Sequence, residues 1–150
     1  MAEWKAKEYY TILLGGIPAD TVGSFLRETI GLCEDTLITS HFYTEKDGDF
    51  AYTDALDLDA YFAERSSASF HLQALRLDRA YHSGSCVIYA DGTSAELECD
   101  IEETDFDTER LPELQAWLIA QLQDGIAEYA SISYTFDNKP LFEIRKGELQ

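Results

Sequence analysis

The spacing of hydrophobic positions divides the chain into segments with strand periodicity and segments with helix periodicity. Residues 95–102 alternate apolar and polar side chains strictly, which is typical of a strand with one buried face. Leucines recur every three or four residues within 108–123, which predicts an amphipathic helix. Similar patterns predict strands over 8–14, 36–44, 50–53, 86–90, 93–101, 129–136 and 141–145, and helices over about 18–33 and 57–64.

Glycine, aspartate and proline separate these segments where turns are expected. Asp91-Gly92 stands between two strand-like runs, so residues 86–101 are predicted to form a hairpin. Gly15-Gly16 is predicted to be a turn that ends the first strand, and residues 66–69 are predicted to be a connection. A further turn is predicted over 137–140, before the last strand.

Residues 70–81 fit two different structures. Their apolar positions alternate with a change of phase after Ala74, which a strand containing a bulge would explain. We favour this strand because other predicted strands lie on both sides of it. A helix is the alternative, because four apolar residues share helical spacing: Phe70, Ala74, Leu77 and Tyr81.

Together these elements predict an α+β fold. It consists of a mainly antiparallel sheet packed by two main helices, with a third, short helix over 57–64. The chain has 150 residues, which suits one domain, 1–150, with a substantial core. Hydrophobic residues make up 45% and charged residues 27% of the chain, a composition typical of a folded globule.

The chain is strongly acidic, and this narrows the classes of partner. Its 29 acidic and 11 basic residues give a formal net charge of -18. Such a field repels phosphate and anionic lipid surfaces, so neither direct nucleic-acid binding nor membrane binding is expected. It favours basic proteins as partners. The alternative is that the charge serves only solubility, as in organisms that live at high salt.

The cysteines and the amino terminus indicate where the protein works. Cys33, Cys86 and Cys99 form no C-x-x-C motif and are odd in number, so reduced, mostly buried thiols are expected. Residues 1–10 lack the apolar core of a signal peptide, and no run approaches the ~18 apolar residues of a membrane helix. We therefore expect a cytoplasmic protein.

Known catalytic and ligand-binding motifs do not occur in the sequence. There is no G-x-S-x-G elbow, no H-E-x-x-H, no Walker lysine and no G-x-G-x-x-G. A calcium loop starting at Asp105 would need glycine at its sixth and glutamate at its twelfth position, where Arg110 and Ala116 stand. We therefore predict no catalytic residue, cofactor or metal site.

One acidic segment departs from the general pattern of dispersed charge. If the apolar residues of 95–102 face the core, its acidic residues share the outer face at roughly 6.8 Å spacing. No Lys or Arg occurs between Arg79 and Arg110. A solvated strand face would show the same alternation, but a basic partner would relieve the repulsion. The predicted partner-binding residues are Glu96, Glu98, Asp100, Glu102, Glu103, Asp105 and Asp107.

These observations favour a non-catalytic binding protein that masks a basic surface on another protein. By analogy of size, charge and lack of catalytic motifs, we predict a bacterial immunity protein that neutralises a toxin domain, for example a nuclease-like one with a basic active site. One alternative is a DNA mimic of the anti-restriction or anti-CRISPR type, which would place carboxylates where a DNA-binding protein expects phosphates. Another is an enzyme with an unrecognised carboxylate or thiol site.

Overall fold

A computed structural model describes residues 8–82, 84–134 and 139–149, and these residues form a large antiparallel sheet. Eight described strands make up this sheet in the spatial order β10-β9-β1-β8-β7-β4-β2-β3, and β5 and β6 form a separate hairpin. The strands are β1 (Tyr9–Pro18), β2 (Leu37–Thr44), β3 (Gly48–Phe50), β4 (Arg65–Leu72), β5 (Leu75–Arg76), β6 (Ala80–Tyr81), β7 (Ser85–Asp91), β8 (Ser94–Glu102), β9 (Tyr129–Tyr134) and β10 (Phe142–Arg145).

Two main helices and one short helix accompany the sheet within the described ranges. The first, α1, begins as an α-helical turn, Val22–Ser24, and continues as a π-helical segment, Phe25–Ile30. The short α2 is Leu58–Phe62, and α3 is Leu111–Gln123. The predicted α+β fold is therefore confirmed. Short 3-10 segments lie at Glu34–Thr36, Glu103–Asp105, Thr108–Arg110 and Lys146–Glu148.

Local sequence explains where these helices begin and end. The Asp57 carboxylate accepts a hydrogen bond from the Ala60 backbone N at 3.1 Å, which satisfies a free donor at the start of α2. α1 ends at Gly31, whose φ of 96° lies in the left-handed region that favours glycine. The chain leaves α3 through Gly125, which has a φ of 78°.

The core lies on one face of the sheet. Inward residues of the strands, such as Ile12, Ile88 and Leu97, form a single cluster with the buried side chains of the helices. Leu114 and Leu118 of the predicted leucine stripe are buried in this cluster. The outward residues of the strands define the opposite side of the sheet, which we call the open face.

The first strand differs from its prediction at Gly15-Gly16. These glycines do not form a turn, because β1 continues to Pro18 with a shift in register between Leu14 and Ile17. Gly16 has a φ of 68°, as glycine permits in a β-bulge. A diglycine followed by a helix start resembles a turn in sequence, but its neighbours on β8 and β9 keep it within the sheet.

The prediction for residues 66–69 was wrong, because they belong to β4. Ser67 and Ser69 alternate with buried Ala68 and Phe70, so they are outward strand residues rather than part of a loop.

Residues 70–81 are neither one continuous strand nor a helix. β4 ends at Leu72, and the chain then forms the small β5–β6 hairpin, in which Leu75 pairs with Tyr81. A backbone hydrogen bond from Gln73 N to the Thr36 carbonyl, at 2.7 Å, marks the change of direction. The phase change after Ala74 therefore reflects the start of a new element.

Several predicted boundaries also shift. The strand predicted over 50–53 was placed too late in the chain, because β3 spans Gly48–Phe50 and residues 51–53 are not in a strand. The predicted turn at 137–140 lies partly outside the described residues, which resume at Lys139. None of the described helices combines the length and the apolar character needed to cross a membrane.

Candidate partner-binding face

The acidic residues of β8 lie on the open face, at the middle of the sheet. Ala95, Leu97, Cys99 and Ile101 alternate with them and are buried, so the predicted orientation is confirmed. β8 lies between β1 and β7, with three or more described strands on each side. We call these four half-buried carboxylates the acidic row: Glu96, Glu98, Asp100 and Glu102.

The acidic row has polar and apolar neighbours rather than basic ones on the two adjacent strands. Glu98 lies between Leu13 of β1 and Val87 of β7 in the register of the sheet. The Thr11 hydroxyl donates a hydrogen bond to an Asp100 carboxylate oxygen at 2.7 Å. The outward residues of β1 and β7 within this register contain no Lys or Arg: Tyr9, Thr11, Leu13, Ser85, Val87 and Tyr89.

The electrostatic consequence is visible at Glu98. Partial burial raises the pKa of Glu98 above its ordinary value, and the neighbouring charges of Glu96 and Asp100 raise it further. The ionised form of the Glu98 carboxylate is therefore less stable in the folded protein than in water. A cation brought close to the row would reverse part of this cost.

The three further acidic residues predicted for the site lie beyond the end of β8 and have different surroundings. The Asp105 carboxylate accepts a hydrogen bond from the His82 backbone N at 2.6 Å, which ties two loops together. The Asp107 carboxylate accepts one from Glu109 N at 2.9 Å and so caps the turn before α3. Glu103 is exposed, and a hydrogen bond with the Glu8 carboxyl raises its pKa.

At the other end of the row, Glu96 is held by a tyrosine from a strand two places away. Gly15 separates them on β1, and the Tyr129 ring lies over the position that a Gly15 side chain would occupy. The Tyr129 hydroxyl reaches across and donates a hydrogen bond to Glu96 Oε2 at 2.8 Å. The Arg145 guanidinium lies 5.5 Å from the centre of the same ring.

A groove of about 1250 Å³ opens beside Glu96 and extends to the β2–β3 hairpin. Tyr43 and Tyr89 line it and are among the most exposed large hydrophobic residues described, at 51% and 55%. Sequence reasoning missed both tyrosines. The signal was available, because burial of Cys86, Ile88 and Ala90 in the predicted hairpin would place Tyr89 outward.

The lining of this groove is acidic. Its described lining residues include only two basic side chains, Lys46 and Arg65, and Arg65 pairs with Asp91 in the register of β4 and β7. The acidic lining residues are Glu45, Asp47, Asp57, Glu64, Asp91 and Glu96.

Alternative chemistry on the described residues is limited. No group of three or more His, Cys, Asp or Glu side chains within them could hold a metal ion. The thiols of Cys86 and Cys99 face each other in the core with sulfur atoms 3.6 Å apart. Their hydrogen bond, followed by burial, raises the pKa of Cys86, so this thiol is a poor nucleophile at neutral pH.

Comparison with known proteins connects this fold to one family. A chain of the solved complex between the toxic C-terminal tip of CdiA from Pseudomonas aeruginosa and its immune protein superimposes with a TM-score of 0.71. The match covers 97% of this chain and 100% of that one at 12% identity, so it shows a shared fold. No curated protein sequence matches this chain. The family model for the PABL017 Cdi1I immunity protein matches residues 8–137. The chain therefore belongs to the PABL017 Cdi1I immunity protein family, which confirms the prediction of an immunity protein.

Proposed function

We propose that this immunity protein neutralises a CdiA-type toxin tip by binding it with the open face of its sheet. The solved structure with the same fold contains such a tip together with its immune protein. In this proposal the chain acts as a stoichiometric binder without a catalytic step of its own, in the cytoplasm where an incoming toxin would act.

The observation that carries the proposal is the position of the acidic row. A row of carboxylates at the rim of a sheet would contribute little to the affinity for a partner, because water screens exposed charges. These four carboxylates lie instead on a central strand and are half-buried, and the described residues that pair with them on β1 and β7 are uncharged. A partner that covers the open face would exclude water from them and strengthen their attraction for positive charge.

The proposed partner surface is therefore basic. Opposite potentials raise the rate of encounter between proteins, and charge matching disfavours wrong partners. We extend the binding surface to Glu103, which is exposed next to the row. Asp105 and Asp107 would contribute through their charge while their carboxylates keep their local hydrogen bonds.

Complex formation with the toxin domain of the cognate CdiA-type protein tests the proposal. The test variant reverses three charges of the acidic row, by Glu98→Lys, Asp100→Lys and Glu102→Lys. The matched control reverses three exposed acidic residues next to or on α3, on the other side of the sheet: Glu109, Glu113 and Asp124.

We expect the control variant to bind the toxin domain and to protect cells that express it. The acidic-row variant should fold, because its side chains point outward, but it should bind the toxin domain more weakly and protect cells less well than the control. Equal binding and equal protection by the two variants would contradict the proposal and leave the acidic row as a solubility device.

A further inference from the structure

We infer that the groove beside Glu96 receives an arginine- or lysine-bearing loop of the toxin, with the cationic side chain between the Tyr89 ring and the Glu96 carboxylate. This inference rests on the proposed function and places the contacts that contribute most to toxin affinity in the groove. The acidic row beyond it would then act mainly on the rate of encounter.

The tyrosines provide the first part of the recognition. Tyr89 and Tyr43 line the same groove, and each leaves about half of its surface exposed. Exposed aromatic rings present a negative face that attracts ammonium and guanidinium groups. Tyrosine and arginine are also the residues most often found at the energetic centres of protein interfaces.

Glu96 provides the second part, because its position is fixed before any partner binds. It lies directly opposite Tyr89 in the pairing of β7 and β8. The Tyr129 hydroxyl donates to its Oε2 atom at 2.8 Å, and in this inference the donor from the partner binds the other oxygen, Oε1. A carboxylate held in place loses less conformational entropy on binding than a mobile one.

The negative charge of the groove favours a cationic side chain as its occupant. Its described lining carries three times as many acidic as basic side chains, so an anionic or purely apolar segment would leave carboxylates buried and uncompensated. A cationic side chain on a loop matches both the charge and the concave shape. Guanidinium is the better match, because it is planar and stacks on aromatic rings.

Single substitutions separate this groove from the rest of the acidic row. Glu96→Gln keeps the hydrogen bond from Tyr129 but removes the charge, and Glu98→Gln makes the same change at the next outward position of β8. Tyr89→Ser removes the ring, whereas Tyr89→Phe keeps it. The measurement is the dissociation rate of each variant from the toxin domain, with circular dichroism to verify folding.

We expect Glu96→Gln and Tyr89→Ser each to raise the dissociation rate roughly 30-fold, which corresponds to the ~2 kcal/mol of an interface hot spot. Tyr89→Phe should remain within about threefold of the parent, and Glu98→Gln should change mainly the association rate. Dissociation rates unchanged by Glu96→Gln and Tyr89→Ser would overturn the inference.

Photo-crosslinking gives an independent measure of the occupant. A benzoylphenylalanine introduced at position 89 should crosslink to a toxin peptide that contains arginine or lysine, and one at Gln115 on α3 should not. Crosslinks from position 89 only to peptides without basic residues would overturn the inference while the proposed function stands. A toxin domain that fails to bind the parent protein would instead overturn the proposed function itself.

Discussion

At the scale of single residues, Gly15 has a role that only the folded sheet reveals. A Cβ atom at this position would lie 2.0 Å from Cζ of Tyr129, so the ring could not remain where it is. The absence of a side chain on β1 is what allows Tyr129 to reach Glu96 across an intervening strand. The diglycine segment therefore contributes to the proposed binding face as well as to the bulge.

We predict that Gly15→Ala displaces the Tyr129 ring and lowers the free energy of unfolding by about 1–3 kcal/mol, as crowding in packed sites typically does. Gly15→Ala and Tyr129→Phe should also weaken toxin binding to a similar degree, because both changes release Glu96. Since they remove the same contact, the double variant should have the same toxin affinity as the single variant that binds more weakly.

Urea unfolding and toxin affinity check this prediction, with Gly147→Ala as control, because nothing lies within 4 Å of a Cβ there. Additive losses of affinity in the double variant would show that Gly15 and Tyr129 act separately.

The raised pKa of Glu98 predicts how this residue changes the stability of the protein with pH. A carboxyl whose pKa is higher in the folded than in the unfolded protein binds more protons when folded, so its ionisation reduces stability as the pH rises through that pKa. Glu98→Gln should therefore raise the melting temperature at pH 7. The gain should disappear below the ordinary pKa of 4.5, where both states are protonated.

Glu143→Gln is the matched control, since Glu143 is exposed on the edge strand β10. Melting curves at pH 7 and at about pH 3.5 provide the measurement. A gain for Glu98→Gln that persists unchanged at the lower pH would show that the buried negative charge of Glu98 is not its cause.

At the scale of elements, the sequence predicted the helices and strands whose turn residues and hydrophobic spacing match their positions in the fold. Asp91-Gly92 identified the β7–β8 hairpin, because Gly92 has a φ of 93° and the Asp91 carboxylate accepts hydrogen bonds from two following backbone N–H groups. The leucine spacing identified α3, because the leucines at helical spacing are the residues that the helix buries. β4 was missed at 66–69, because a serine-rich run has the composition of a loop and only its pairing with β2 and β7 makes it a strand.

The leucine stripe allows a direct test of the α3 packing. Leu118 is fully buried, so Leu118→Ala should lower the free energy of unfolding by about 2–5 kcal/mol through lost burial and a residual cavity. Glu113→Ala on the exposed side of the same helix should change it by less than about 0.5 kcal/mol. Urea denaturation measures both, and equal effects would show that the helix phase is wrong.

At the scale of the whole molecule, charge and fold combine into one surface. The acidic row was predictable, because strict alternation places every second residue of a half-buried strand on the same face. The groove was not, because it joins residues of β2, β7, β8 and β9 that only the order of strands brings together. Composition indicated a basic partner, and topology indicates which face would meet it.

The most direct test of the central claim is the association rate of the toxin domain with the parent protein and with the acidic-row variant at two salt concentrations. At about 50 mM salt, the Glu98→Lys, Asp100→Lys and Glu102→Lys variant should associate roughly tenfold or more slowly than the parent. At about 500 mM salt the difference should shrink, because screening weakens long-range attraction. Association rates that are equal at low salt would contradict the claim that the open face is the toxin-binding surface.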